Sequence, residues 1–459
     1  MSTQTRIKPE FQAILLAGGA GNRMYPLPEK TAKCLLPVCN RPLITYQLRM
    51  LENTGLKECI VVVTEHTAQQ VSSFLNEKFE CKIRCIIHKV DDYTGTADAL
   101  RQIADRIITD FIVVSADVIT DCKLLVVADT HRSNDAVATL LFSKVKGSGV
   151  DVKDKKSSKN PAKKKQEAAY QPECNFIGLE QDSGRVLVYT AKADVEDSLS
   201  VSKRLLQSHP RMTLHSQLDD AHIYIFSHWV IKVILQDKSI SSIQNELIPY
   251  LVKAQFRCPE DLKEEKSKAV WSRVDKNFAQ GEALGMSSVP PKSIDSLLCM
   301  SYVPDPSKFS FRVNTVPAYK HANREVVNLH DSEGKPIVES GYVLPEEAKA
   351  TGKKGKAAFN VGKDCVIGDG VQIGVKTNIK KSVVGSYCKI GEKCRISNCV
   401  LMDHVTIEKQ VTLSDTVVCS NAHIQAMSSL DNCEVGANYT VPGKTKSKKE
   451  QFSTSNFME

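Results

Sequence analysis

The feature that most constrains this chain is a repeat of 17 residues in its C-terminal part. Aliphatic residues stand at Ile367, Ile373 and Ile379, and each recurs at the same interval. The three series are Ile367, Val384, Leu401, Val418 and Val435; Ile373, Ile390, Ile407 and Ile424; and Ile379, Ile396, Leu413 and Leu430. Spacings of 6, 6 and 5 within one repeat mean three short strands per coil, each turning one large side chain toward a common axis. Strand alternation predicts that the residue two places earlier also points inward, and the tight corners of a triangular coil require it to be small. Those residues are Cys365, Val371, Thr377, Ser382, Cys388, Cys394, Cys399, Val405, Val411, Thr416, Ala422, Ser428 and Cys433, none larger than valine. Five of them are cysteines, which look like a metal site until their shared phase assigns them to a packed core. A coil stack pairs its backbone from coil to coil, so its two ends must be capped or docked.

Composition adds little to this but excludes several classes. The chain has 459 residues, 42% apolar and 25% charged, as expected of two or three ordinary globular domains. No apolar run approaches the length of a membrane span, and residues 1–10 are polar and unlike a secretory signal, so a cytosolic or nuclear location is expected. Fifteen cysteines without a C-x-x-C pair read as reduced, mostly buried thiols rather than a disulfide framework or a zinc site. The net charge of +8 is concentrated in lysine clusters at 153–165, 353–356 and 444–449. These are read as solvated loops, with contact to an acidic protein or RNA as the alternative.

In the N-terminal half, Phe11 to Ala17 is a short apolar run followed by Gly18-Gly19-Ala20-Gly21-Asn22-Arg23. A buried parallel strand, a glycine-rich loop and then a helix would present backbone N–H groups to a phosphate; a tight connection is the alternative. A helix is expected from Ile44 to Leu51, closed by Gly55, then a strand from Cys59 to Val63 and an amphipathic helix from Thr96 to Ile108. A strand over Phe111 to Val114 delivers Asp117 to its C-terminal end, where open α/β sheets bind ligands. Asp117 there suits Mg²⁺ with nucleotide phosphates, or a turn or helix cap.

The stretch LAGGAGNRMYPLPEKTAKCLLPVCNRPLI, Leu16 to Ile44, resembles the signature of sugar-phosphate nucleotidyltransferases. The resemblance implies triphosphate binding by Gly18, Gly19, Gly21 and Arg23, contact of Lys33 with the reacting phosphates, a base-proximal role for Gly95 and Thr96, and a metal role for Asp117. Fragments such as Val366-Ile367-Gly368-Asp369-Gly370-Val371 resemble the hexapeptide repeat of left-handed β-helices, and the handedness rests on that resemblance. The fold class is therefore α/β, a Rossmann-like nucleotidyltransferase domain followed by a left-handed parallel β-helix. The division expected is 10–325 for the first domain, with a basic insertion at 150–170 and another at 257–310, a linker at 326–358, the β-helix at 359–442 and a polar tail at 443–459.

The sequence also departs from the active pattern. Lys33 lies between Ala32 and Cys34 where the enzymes carry prolines, and His222 takes the place of a glycine in Asp220-Ala221-His222-Ile223-Tyr224. The region expected to hold a second metal-binding aspartate, FRVNTVPAYKHA, offers Asn314 and Thr315 instead. Together with SISSIQNELIPYLVKAQF (239–256) and RVNTVPAYKHANREV (312–326), these changes resemble the initiation factor 2B branch, in which the fold serves as an assembly subunit of a guanine nucleotide exchange factor. That resemblance implies no catalytic residues, no metal and no cofactor in this chain. It implies pairing with a homologous epsilon subunit and the other factor 2B subunits, initiation factor 2 as substrate, and neither DNA nor membrane as partner. The epsilon subunit's C-terminal helical domain has no counterpart after Val435. A working sugar-1-phosphate nucleotidyltransferase, similar to mannose-1-phosphate guanylyltransferases, is the alternative.

Overall fold

Apolar runs rich in valine and isoleucine form the central strands of the N-terminal half, because β-branched side chains fill a surface buried on both faces. The computed structural model describes residues 10–77, 79, 82–144, 175–195, 198–256, 297–305, 308–328, 359–362 and 364–453. The lysine clusters at 153–165 and 353–356, and most of the segments 257–310 and 326–358, lie outside the described residues. Among the described residues no helix is long and apolar enough to cross a membrane.

Strands are numbered along the chain: β1 (Phe11–Leu16), β2 (Pro37–Val38), β3 (Arg41–Pro42), β4 (Glu58–Thr64), β5 (Arg84–Val90), β6 (Asp110–Ser115), β7 (Val118–Thr120), β8 (Ala138–Lys144), β9 (Phe176–Glu180), β10 (Val186–Thr190), β11 (Met212–His215), β12 (Leu218–Phe226), β13 (Cys299–Tyr302) and β14 (Ser310–Arg312). The helices are α1 (Ile44–Glu52), α2 (Glu65–Glu77), α3 (Thr96–Gln102), α4 (Leu124–Ser133), α5 (Lys203–Ser208), α6 (Val230–Gln236), α7 (Ile248–Ala254) and α8 (Val316–Glu325). The main sheet has seven strands in the order β13-β8-β12-β6-β1-β4-β5. β1 pairs in parallel with β4 and β6, whereas β12 runs antiparallel to β6 and β8. Its core is built on Ile14, Phe111, Val113, Leu140 and Phe226, all nearly solvent-free.

Two local expectations are corrected. The 96–108 helix is α3 followed by a separate 3-10 turn, Ala104–Arg106, yet Ala97, Leu100, Ile103 and Ile107 are all buried, so the apolar face survives the break. The glycine-rich loop leads not into an α-helix but into one 3-10 turn, Asn22–Met24. Gly21, at φ +76°, turns the chain there.

The C-terminal part is a parallel β-helix of short strands, β15 (Asn360–Val361) to β31 (Gln451–Phe452), in three sheets of 6, 6 and 5 strands. Register confirms the 17-residue period: Ile379 pairs with Ile396, Ile396 with Leu413 and Leu413 with Leu430. All thirteen small inward residues are buried, and the thiols of Cys388 and Cys394 donate to the carbonyls of Met402 and Glu408 at 3.1 and 3.0 Å. The stack runs past residue 442: Lys446–Lys448 pairs with Ser429–Asp431, and Gln451–Phe452 with Glu434–Val435. The stretch expected as tail thus supplies a further coil. Corners take left-handed backbone at non-glycine residues such as Tyr387, Asn398 and His404, each disfavoured by about 1 kcal/mol alone. They are held by bonds to the preceding coil, as from Tyr387 N–H to Asp369 O at 2.7 Å. At Gly374 a side chain is impossible, because a Cβ would lie 2.5 Å from the carbonyl carbon of Gly391 in the next coil.

The compact units do not follow the expected division. One comprises residues 1–19 and 46–311, and the other comprises 20–45 and 312–459. The physical reason lies on the outer face of one β-helix sheet, where Val366, Val383, Val400 and Val417 point away from the axis yet are 4% exposed or less. Burial of such a valine contributes about 1.5 kcal/mol or more, so this face needs a cover. Within the second unit α8 and the β2–β3 hairpin are bonded to the same sheet and its corners. Arg324 meets Asp415 at 2.7 Å, and Lys320 meets Glu434 at 3.2 Å and Asn432 at 3.0 Å. Asn40 Nδ2 donates to Val384 O at 2.8 Å.

Candidate functional site

The sequence-derived site residues divide between the two units. In the first, the N–H of Ala17 donates to Val62 O at 2.8 Å and that of Ala116 to Leu16 O at 2.9 Å, which carries the ladder to the carboxyl ends of β1 and β6. Gly18 and Asp117 follow directly from those ends. Asp117 is 4% exposed and accepts a 2.7 Å hydrogen bond from Ser115 Oγ, so its carboxylate is held in one orientation. Gly19 is exposed, and a Cβ at Gly18 would only touch Thr64 Cγ2 at 3.4 Å.

Gly95 and Thr96 have a structural duty. A Cβ on Gly95 would lie 2.4 Å from the carbonyl oxygen of Ser241, so glycine is required by that approach. The Ala97 N–H donates to the same carbonyl at 2.8 Å, and Thr96 Oγ1 accepts from the Ile243 N–H at 2.9 Å. These two residues fasten the start of α3 to the chain before α7.

His222 adopts φ +53°, the left-handed conformation that a glycine takes freely. It lies in the irregular stretch of β12 between Asp220 and Tyr224. Asp220, fully buried, organises that stretch: it accepts from the His222 N–H at 2.8 Å and from the hydroxyls of Tyr189 and Tyr224 at 2.7 and 2.9 Å. Burial, reinforced by the Asp220 charge, holds the Tyr189 phenol well above its usual range, so it donates.

In the second unit Gly21 and Lys33 come together, with Arg23 two residues beyond Gly21. A Cβ on Gly21 would stand 3.3 Å from Lys33 Cβ and 3.2 Å from Pro28 Cγ, so the Gly21 turn lies against the Lys33 stem. Arg23 is exposed and Lys33 half-buried at the start of the 3-10 turn Lys33–Leu35. Cys34, in place of a family proline, is a core thiol pushed up to about 12 by burial. The turn's shape is kept without proline by the bond from Leu36 N–H to Lys33 O at 3.2 Å.

Asn314 and Thr315 immediately precede α8. Thr315 is its N-cap, accepting from the Ala318 N–H at 3.3 Å. The position expected to hold a second metal carboxylate is thus occupied by a helix cap. Among the described residues, no three His, Cys, Asp or Glu side chains are grouped to hold a metal ion.

Sequence reasoning missed the β-helix cover formed by α8 and the hairpin. A signal was present: the pairs Val366-Ile367, Val383-Val384, Val400-Leu401 and Val417-Val418 are apolar at both inward and outward positions, whereas the strands of the other two β-helix sheets alternate with polar residues.

Comparison with known proteins agrees with this architecture. The family described as "Nucleotidyl transferase" matches residues 12–149, and "EIF2B subunit epsilon LbH domain" matches residues 349–446, which gives the β-helix its left hand. The chain is 32% identical to "Translation initiation factor eIF2B subunit gamma" of Schizosaccharomyces pombe over 81% of its own length and 74% of the relative's. It is 28% identical to the Dictyostelium discoideum protein of the same name, over 82% and 87%. Similarity to "Mannose-1-phosphate guanylyltransferase 1" of Arabidopsis thaliana is 29% but covers only 29% of this chain and 38% of that one.

Proposed function

The chain belongs to the family of eIF2B gamma subunits, and from that premise we propose that it is a non-catalytic, cytosolic subunit that pairs with the epsilon subunit and promotes GDP/GTP exchange on initiation factor 2. The observation that carries the non-catalytic part is Thr315. Joining a sugar phosphate to a nucleoside triphosphate gathers several negative charges, and two carboxylates normally hold the Mg²⁺ that offsets them. Here Asp117 is one such carboxylate, while the other position is a neutral cap that α8 uses for its own first turn. The retained Gly21, Arg23 and Lys33 of the second unit then serve to bind the phosphates of a nucleotide or sugar nucleotide as a regulatory ligand.

The test is GDP release from initiation factor 2 by the epsilon subunit, with and without this chain. The proposal expects the two to co-purify and release to be faster together; an unchanged rate in a formed complex counts against it. A second reading has one observation in its favour, the persistence of Lys33 and Asp117 in a domain similar to guanylyltransferases over residues 12–149. It predicts Mg²⁺-dependent pyrophosphate release from a nucleoside triphosphate and a sugar 1-phosphate.

A further inference from the structure

Residues 20–45, which carry Arg23 and Lys33, belong to the same compact unit as the β-helix, and the link between them is a short chain of buried bonds. The β2–β3 hairpin turns through Cys39 and Asn40, both left-handed at φ +49° and +62°, a conformation that must be held from outside. Asn323 of α8, 2% exposed, does so: its Oδ1 accepts from the Cys39 N–H at 2.8 Å, its backbone carbonyl accepts from the Cys39 thiol at 3.3 Å, and its Nδ2 donates to Tyr319 O at 2.9 Å. The Tyr319 hydroxyl, in a fully buried side chain, donates to Pro37 O. Asn40 reaches the β-helix itself at Val384 O. From the hairpin the chain of bonds continues inward. Leu43 N–H donates to Leu36 O at 3.0 Å, and Leu36 N–H to Lys33 O at 3.2 Å. Lys33 in turn packs on the Gly21 turn that sets Arg23.

We infer that Asn40, Tyr319 and Asn323 are positioning residues that tie the Arg23–Lys33 segment to the outer face of the β-helix, so that anion binding at that segment and the state of that face are thermodynamically linked. The inference rests on the regulatory-ligand reading given above. The linkage is reciprocal: an anion that orders residues 21–33 stiffens the hairpin and α8, and a partner that grips the β-helix changes affinity for the anion by the same factor. Asn40, Tyr319 and Asn323 carry no charge, so their effect is geometric.

The test uses the full chain and Mg·GTP as probe, with affinity by calorimetry and hydrogen exchange with and without the probe. The wild type is expected to bind and to show slowed exchange in 316–325 and around 383–384 when GTP is present. Arg23→Ala should abolish both. Asn40→Ala, which removes one half-buried amide and leaves alanine in the left-handed conformation, should weaken binding roughly 5- to 10-fold and erase the slowing around 383–384, with a lowered melting temperature but a protein still folded at 25 °C. Asn323→Asp, which keeps the acceptor for Cys39 but loses the donor to Tyr319, should fall between the two. Wild-type affinity in both Asn40→Ala and Asn323→Asp overturns the linkage while leaving the ligand reading intact. Absence of GTP binding by the folded wild type overturns both, and leaves the exchange-subunit reading to the GDP-release assay.

Discussion

The seven-stranded sheet, mostly parallel, and the wholly parallel β-helix are both built on buried valine and isoleucine, yet they spend their sequence differently. In the sheet each strand has its own partners: β1 lies between β4 and β6, far apart in sequence, and its core joins residues from Ile14 to Cys299. In the β-helix strands pair with the coil 17 residues before or after, as Ile396 with Ile379 and Leu413. The first is one cooperative object and the second is nearly one-dimensional. The sheet places irregular features at its carboxyl edge, among them Asp117 and left-handed His222, whereas the β-helix repeats its left-handed corners at every turn.

The sharpest way to break this comparison is to remove a large side chain from each region. Phe226→Ala should cost about 4 kcal/mol and Leu401→Ala about 3 kcal/mol. The distinguishing result is where exchange rises: throughout the sheet for Phe226→Ala, but mainly in coils adjoining residue 401 for Leu401→Ala. Equal spread in both would remove the distinction.

Acid supplies the next contrast. His131 is buried beside Phe11, with Nδ1 2.9 Å from Thr139 Oγ1, and burial lowers its pKa from 6.5 to about 4. Because the folded value lies below the unfolded one, the unfolded state takes up the proton first. The stability from the neutral ring is complete above pH 6.5, falls as pH drops from 6.5 to 4, and changes no further below that. The loss should approach ~3 kcal/mol and be absent in His131→Gln, by denaturant melts of the sheet's signals.

A smaller effect tests the cover of the β-helix. Lys320→Met strands Glu434, which is 14% exposed, and should cost about 2 kcal/mol; adding Glu434→Leu should recover most of it. Smaller still, Thr315→Ala should cost about 1 kcal/mol by loss of the α8 cap, read as increased exchange at its first turn.

The repeat made the β-helix legible because thirteen inward positions share one phase, and the small residues behind them fixed the coil's shape. Its last coil escaped because the aliphatic column ends in Ser447, flanked by outward Lys446 and Lys448, although Val441 and Phe452 keep the phase. Lysines on a terminal strand discourage edge pairing and so mimic a solvated tail. The strands of the sheet could be read from their apolar runs, but the 3-10 turn after the glycine loop could not, because Asn22 and Arg23 carry no periodicity. Nor could the role of Gly95, which depends on Ser241 approaching it in space, whereas the Thr315 cap, local to Val316-Pro317-Ala318, carried a readable helix-start signal that was missed.

The central claim is that this fold no longer performs the chemistry its glycine loop suggests. Pyrophosphate release by the purified, folded chain, given Mg²⁺, GTP and mannose 1-phosphate, tests it most directly. The account predicts no release above the protein-free rate. Turnover that requires Mg²⁺ and disappears in Lys33→Ala and Asp117→Asn would contradict it.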